Sequence, residues 1–119
     1  MDKITVENKS LDFAVRIVNL CKFLTNEKNE YILSKQVLKS GTSIGANISE
    51  AQYAQSALDF LSKNSIALKE AKETEYWLKL LKRTDYIDEA QFDSINSDLN
   101  QIIKMLVAIC KTTKSKIEK

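Results

Sequence analysis

No proline interrupts this chain, and only two glycines, Gly41 and Gly45, occur in its 119 residues. A fold of many short strands needs glycine- and proline-bearing turns at roughly ten-residue intervals, and those residues are missing here. A chain so poor in breakers builds a few long helices joined by short polar connections. Both glycines fall inside one apolar-periodic segment rather than at its ends, so even they do not act as stops.

The length fits one domain, residues 1–119, large enough to bury a core without disulfides or metal. With 44% hydrophobic and 29% charged residues, the chain has the balance of a globular protein rather than a disordered one. Its net charge is +2, from 18 basic and 16 acidic side chains, which alone does not mark a nucleic-acid binder. The charge is uneven. Asp88, Glu89, Asp93 and Asp98 precede a basic end with Lys111, Lys114, Lys116 and Lys119, which reads as a solvated terminus. Cys21 and Cys110 form no CxxC pair and no metal-ligand spacing. They read as reduced core cysteines of a cytoplasmic protein. The start, Met1 to Val6, has no signal-peptide apolar region, and no apolar run approaches the roughly 20 residues that span a bilayer.

Periodicity predicts four helices, at about 10–25, 30–54, 57–83 and 89–113. The first, with Ser10 as N-cap, carries two apolar stripes. Leu11, Ala14, Val18 and Cys21 form one; Phe13, Ile17, Leu20 and Leu24 form the other. A helix apolar over more than half its circumference either sits deep or offers its second stripe to another chain. Phe13, Ile17, Leu20 and Leu24 are therefore candidate oligomer contacts. The second helix places Leu33, Val37, Ile44, Ile48 and Ala51 on one face. At its centre Gly41, Gly45 and Ser49 form a ridge of small side chains. Mid-helix glycine costs about 1 kcal/mol against alanine, so this ridge needs a reason, and close approach of another helix supplies one. A break near Gly41, recapped by Thr42 or Ser43, is the alternative to a continuous or kinked helix. Asn47, at the edge of this apolar face, is a candidate for fixing helix register through a buried amide. The third helix, capped by Ser56, has a narrow seam through Ala67, Ala71, Thr74 and Leu78. Ile66 and Trp77 lie on another face with Glu70 and Glu73, a mixture that suits an interface as well as it suits a tryptophan lying on its own bundle. The fourth, capped by Asp88, runs Phe92, Ile95, Leu99, Ile102, Leu106 and Ile109 at alternating spacings of three and four. Short connections at 26–29 and 84–87 make neighbouring helices antiparallel, so the expected fold is an all-α, up-down-up-down four-helix bundle.

The chain has no histidine, which removes the commonest general base and the Glu-x-x-His di-iron pattern. There is no nucleophile elbow and no phosphate-binding loop, since the glycine pair lacks the Lys-Ser/Thr and the preceding strand. Glu50, Glu70 and Glu73 read as solvated or ion-paired carboxylates beside Lys69 and Lys72. No enzyme activity, cofactor or metal is expected. For nucleic acid, Lys35 and Lys39 share a face of the second helix, and Arg16 and Lys22 lie on the polar strip of the first. No single face is strongly basic, but an oligomer would multiply a weak patch.

At the second and third helices the sequence becomes specific. "LSKQVLKSGTSIGANISEAQYAQS" and "IALKEAKETEYWLKLL" resemble the bacterial four-helix proteins encoded in intervening sequences of large-subunit ribosomal RNA genes, often labelled S23 ribosomal proteins. The resemblance rests on Ser34, Gln36, Ser40, Gly41, Ser43, Ile44, Asn47, Ile48, Glu50 and Ala51, and on Ala67, Glu70, Glu73, Thr74, Trp77 and Leu78. It implies a four-helix protomer with no known enzymatic activity, in a ring-like homo-oligomer, commonly a pentamer. The chain is also similar to accessory proteins of diversity-generating retroelements, which are basic barrels that bind nucleic acid. The partners so implied are the chain itself and RNA or a nucleic-acid-handling protein, with no membrane. An assembly module without nucleic-acid contact is the alternative.

Overall fold

The computed structural model describes residues 5–118. Met1 to Ile4, part of the stretch read as free of a signal peptide, and Lys119 of the basic end lie outside the described residues. The fold is all-α: four helices, and no strand among the described residues. They are α1 (Val6–Glu27), α2 (Leu33–Ala51), α3 (Ala57–Arg83) and α4 (Glu89–Ile117).

The caps explain the boundaries. α1 begins a turn earlier than expected because Thr5, not Ser10, is its N-cap, the Thr5 hydroxyl accepting from the Asn8 N–H at 3.1 Å. Ser10 is instead buried inside the helix, donating to the Glu7 carbonyl. α2 starts at Leu33 because the buried Glu30 carboxylate stands in front of it, accepting from the Ser34 N–H at 2.8 Å and the Ile32 N–H at 3.3 Å. An anion here suits the positive end of the helix. α2 stops at Ala51 because the next three amides bond three residues back, to Ser49, Glu50 and Ala51, tightening into a turn. In α3 the Ser56 hydroxyl accepts from the Asp59 N–H, and the Asp59 carboxylate accepts from the Gln55 N–H. α3 closes with Asp85 in the left-handed region (φ 64°) and the Tyr86 N–H on the Leu81 carbonyl. Asp88 and Gln91 cap α4 reciprocally.

α2 is one continuous helix through Gly41 and Gly45. α1 and α3 each pack against both α2 and α4, closing a cycle around one core. The paired contacts run in opposite sequence order. Ser10 lies near Gly45, Ile17 near Gly41 and Cys21 near the Ser34 carbonyl. Lys9 reaches Gln101 and Arg16 reaches Ser94. Thr74 meets Ser40, and Lys63 meets Glu50.

The core takes Phe13, Ile17 and Leu24 from α1, with Ile17 fully buried. This corrects the expectation that those three face another chain: they are enclosed within their own. Of the other stripe, Leu11 and Val18 are left outside at 65% and 37% exposed, with Val15 beside them, while Cys21 is buried. The larger side chains go inward because they remove more apolar surface from water. Leu20, the fourth member, is half-buried at the α1–α4 groove.

Candidate functional site

Two members of the small-residue ridge of α2 are used within the chain. A Cβ at Gly41 would lie 2.8 Å from Ile17 Cγ1, and one at Gly45 would lie 3.3 Å from Ser10 Oγ, so both glycines receive α1. Ser49 is exposed and lines a shallow cleft of about 390 Å³ between α1 and α2 with Glu7, Leu11, Thr42 and Ala46. Asn47 is half-buried and its amide donates to the Ser43 carbonyl at 2.8 Å, a bond inside its own helix. Among the described residues the fully buried side-chain amide is Asn64, which donates to the Phe60 carbonyl. Sequence reasoning missed it, because an Asn beside Lys63 in a polar-looking stretch carries no periodic signal.

The four basic residues singled out from the sequence do not form one patch. Lys22 and Lys35 come together across the α1–α2 groove, lining a cleft of about 260 Å³ with Val18, Tyr31 and Leu38. Lys39 follows Lys35 by one turn on the exposed surface of α2. Arg16 lies on the opposite side of α1. Its guanidinium donates to Asp98 Oδ2 at 2.7 Å, to Ser94 Oγ at 2.9 Å and to the Ser94 carbonyl at 3.1 Å. Three acceptors on α4 hold Arg16, so its charge is largely spent inside the chain. Lys22, Lys35 and Lys39 have no carboxylate partner among the described residues.

Around these lysines the surface is apolar. Leu11, Val15 and Val18 of α1 and Leu38 of α2 are all exposed. The signal for this row was present, because Val15 sits between the two stripes at helical spacing from Leu11 and Val18. On the far side of α2, Ile66 is 41% exposed, while Trp77 is half-buried against the core with its ring edge-on to Tyr76, centroids 5.1 Å apart. The Trp77 Nε1 is buried without an acceptor.

Nucleophiles and ligands are sparse. The Cys21 thiol donates to the Ser34 carbonyl, and burial pushes its pKa up to about 11, so it is held as a thiol. Among the described residues no three His, Cys, Asp or Glu side chains are grouped to hold a metal ion. No helix among them is long and apolar enough to cross a membrane.

A family model described as 23S rRNA-intervening sequence protein matches residues 2–108. A crystal structure of a protein with unknown function from the S23 ribosomal protein family of Bacteroides thetaiotaomicron is similar at a TM-score of 0.89 and 63% sequence identity, over 90% of this chain and 99% of that one. No curated protein matches the chain.

Proposed function

The chain belongs to the 23S rRNA-intervening sequence protein family, and we propose that it is a non-enzymatic, homo-oligomeric four-helix protein whose assembly presents lysines to structured nucleic acid. The observation that carries this reading is the surface around α2. Exposed apolar side chains that a monomer would leave in water lie next to Lys22, Lys35 and Lys39, which have no internal partner. Burying the first in an interface multiplies the second by the number of copies, and phosphate binding grows with each counterion released. The protomer is an antiparallel up-down-up-down bundle, supported by contact pairs that run in opposite sequence order on each side. The absence of histidine and the protonated, buried Cys21 support a protein without covalent or acid–base chemistry. Two free cysteines support a reducing, cytoplasmic setting.

The test is binding to a labelled structured RNA across a salt series, with mass followed in parallel. Binding by an oligomer that weakens steeply with salt is expected, and Lys35→Glu with Lys39→Glu reduces both affinity and salt slope while leaving mass unchanged. No binding at low salt favours a second reading, an assembly module that meets only protein. The internal neutralisation of Arg16 by Asp98 is the observation on that side.

A further inference from the structure

Near the turn that joins them, α1 and α2 part around the cleft of about 260 Å³. Contacts between the two helices run in opposite sequence order, which sets Val18 beside Leu38 at one end and Thr25 beside Tyr31 at the other. Cys21 lies at the floor, its thiol donating to the Ser34 carbonyl at 3.3 Å. Lys22 and Lys35 stand on the two rims, both exposed and neither with a carboxylate partner among the described residues. Every other side-chain donor of the cleft is already used. The Thr25 hydroxyl donates to the Cys21 carbonyl at 3.0 Å, the Ser34 hydroxyl to the Glu30 carbonyl at 3.0 Å, and the Tyr31 hydroxyl to Asn29 Oδ1 at 3.3 Å. Tyr31 is 55% exposed. What the cleft offers a ligand is therefore apolar surface, one accessible aromatic ring and two ammonium groups.

Those groups suit a flat, apolar-faced ring with negative charge on either side of it. The volume lies below the roughly 300 Å³ at which sites for drug-sized ligands begin, so it suits one ring system rather than a larger molecule. A nucleotide within a strand has this build: a planar base that stacks on aromatic side chains, between two phosphates. We propose that the cleft takes one unpaired nucleobase against Tyr31, with the phosphates on its two sides reaching Lys22 and Lys35. This rests on the nucleic-acid reading and names the part of a structured RNA that is bound, a single-stranded loop or bulge rather than a duplex. A paired base keeps its faces inside the helical stack and leaves only its backbone for the lysines. With every hydroxyl and the thiol of the cleft already donating within the chain, no such group is left to read base edges, so recognition tolerates sequence. The Tyr31 end lies away from Leu11 and Val15, so a copy covering those residues leaves it open.

The test compares a labelled short uridine strand with a blunt RNA duplex of the same length, by fluorescence anisotropy at low salt, on full-length wild type, Tyr31→Ala and Tyr31→Phe. Tyr31 is exposed, so both variants are expected to keep the helical circular dichroism of the wild type. Tyr31→Ala weakens binding of the single strand about fivefold or more, the low end of what one stacked base contributes. Tyr31→Phe keeps the ring and stays within about twofold of wild type. Duplex binding is the same in all three. Ultraviolet crosslinking of an iodouridine strand to the wild type reads the contact without any substitution, and the adduct is expected on Tyr31. Equal single-strand affinity in wild type and Tyr31→Ala, or an adduct that maps elsewhere, overturns the base-binding cleft and leaves the nucleic-acid reading standing. Failure of both RNAs to bind the wild type at low salt overturns that reading, and the cleft with it.

Discussion

Ile17 occupies the space where a side chain at Gly41 would begin: an added Cβ would meet Ile17 Cγ1 at 2.8 Å and Cγ2 at 2.9 Å. Both residues are buried, so neither can move toward water. Gly41→Ala gains about 1 kcal/mol of helix propensity and meets an overpacking cost of about 1–3 kcal/mol. A net loss of up to about 2 kcal/mol in unfolding free energy, read from denaturant titration, is expected, and Ile17→Ala is strongly non-additive with it. Gly45→Ala meets only Ser10, at 3.3 Å or more, and stays within about 1 kcal/mol of wild type. Equal costs at the two glycines would show that α1 does not lie this close to α2.

Thr74 Oγ1 lies 2.9 Å from Ser40 Oγ and 2.8 Å from the Glu70 carbonyl, and both hydroxyls are buried. One proton serves the carbonyl, so Ser40 completes the chain by donating to Thr74. Thr74→Val leaves the Ser40 hydroxyl unpaired and destabilises by about 1–3 kcal/mol. Adding Ser40→Ala recovers most of that loss. Urea unfolding of the two single variants and the double variant measures it.

How far these contacts were legible differs by helix. α4 was readable because its single apolar seam, Phe92 to Ile109, has one solution, and Asp88 marks its start. α1 was not, because its two stripes share the helical period and only their size differs. The glycine opposite Ile17 was the available clue to which stripe goes inside, and it lies on another helix. Ser10 looked like a cap for a similar reason: it is a small polar residue ahead of an apolar run, but its smallness serves the approach to Gly45. Glu30 capped α2 through its side chain from outside the usual cap position. Arg16 was placed on a polar strip correctly, but its partner Asp98 is 82 residues away, and no local pattern connects them.

Burial raises the Cys21 thiol from 9.0 to about 11. Its contribution to stability is fully present below pH 9, the unfolded value, and is lost as pH rises toward 11, because the unfolded chain ionises first. The stability of Cys21→Ala therefore falls less steeply than wild type between pH 9 and 11. At pH 8 Cys21 resists alkylation until the protein unfolds, and rapid modification of native Cys21 would contradict its burial.

Arg16 and Asp98 are 38% and 44% exposed at the side chain, so solvent weakens their 2.7 Å ion pair. Arg16→Ala costs no more than about 1 kcal/mol in thermal or denaturant unfolding. It leaves RNA affinity unchanged, since the guanidinium already has three acceptors on α4. A loss of RNA binding in Arg16→Ala would return this side of α1 to the nucleic-acid surface.

On the proposed reading, Leu11, Val15 and Val18 are buried between copies, and the lysines of α2 beside them stay free for the ligand. The most direct measurement is the mass of the native full-length chain by light scattering from low micromolar concentration upward. A constant mass of several chains is predicted. A single-chain mass across the whole range would contradict it.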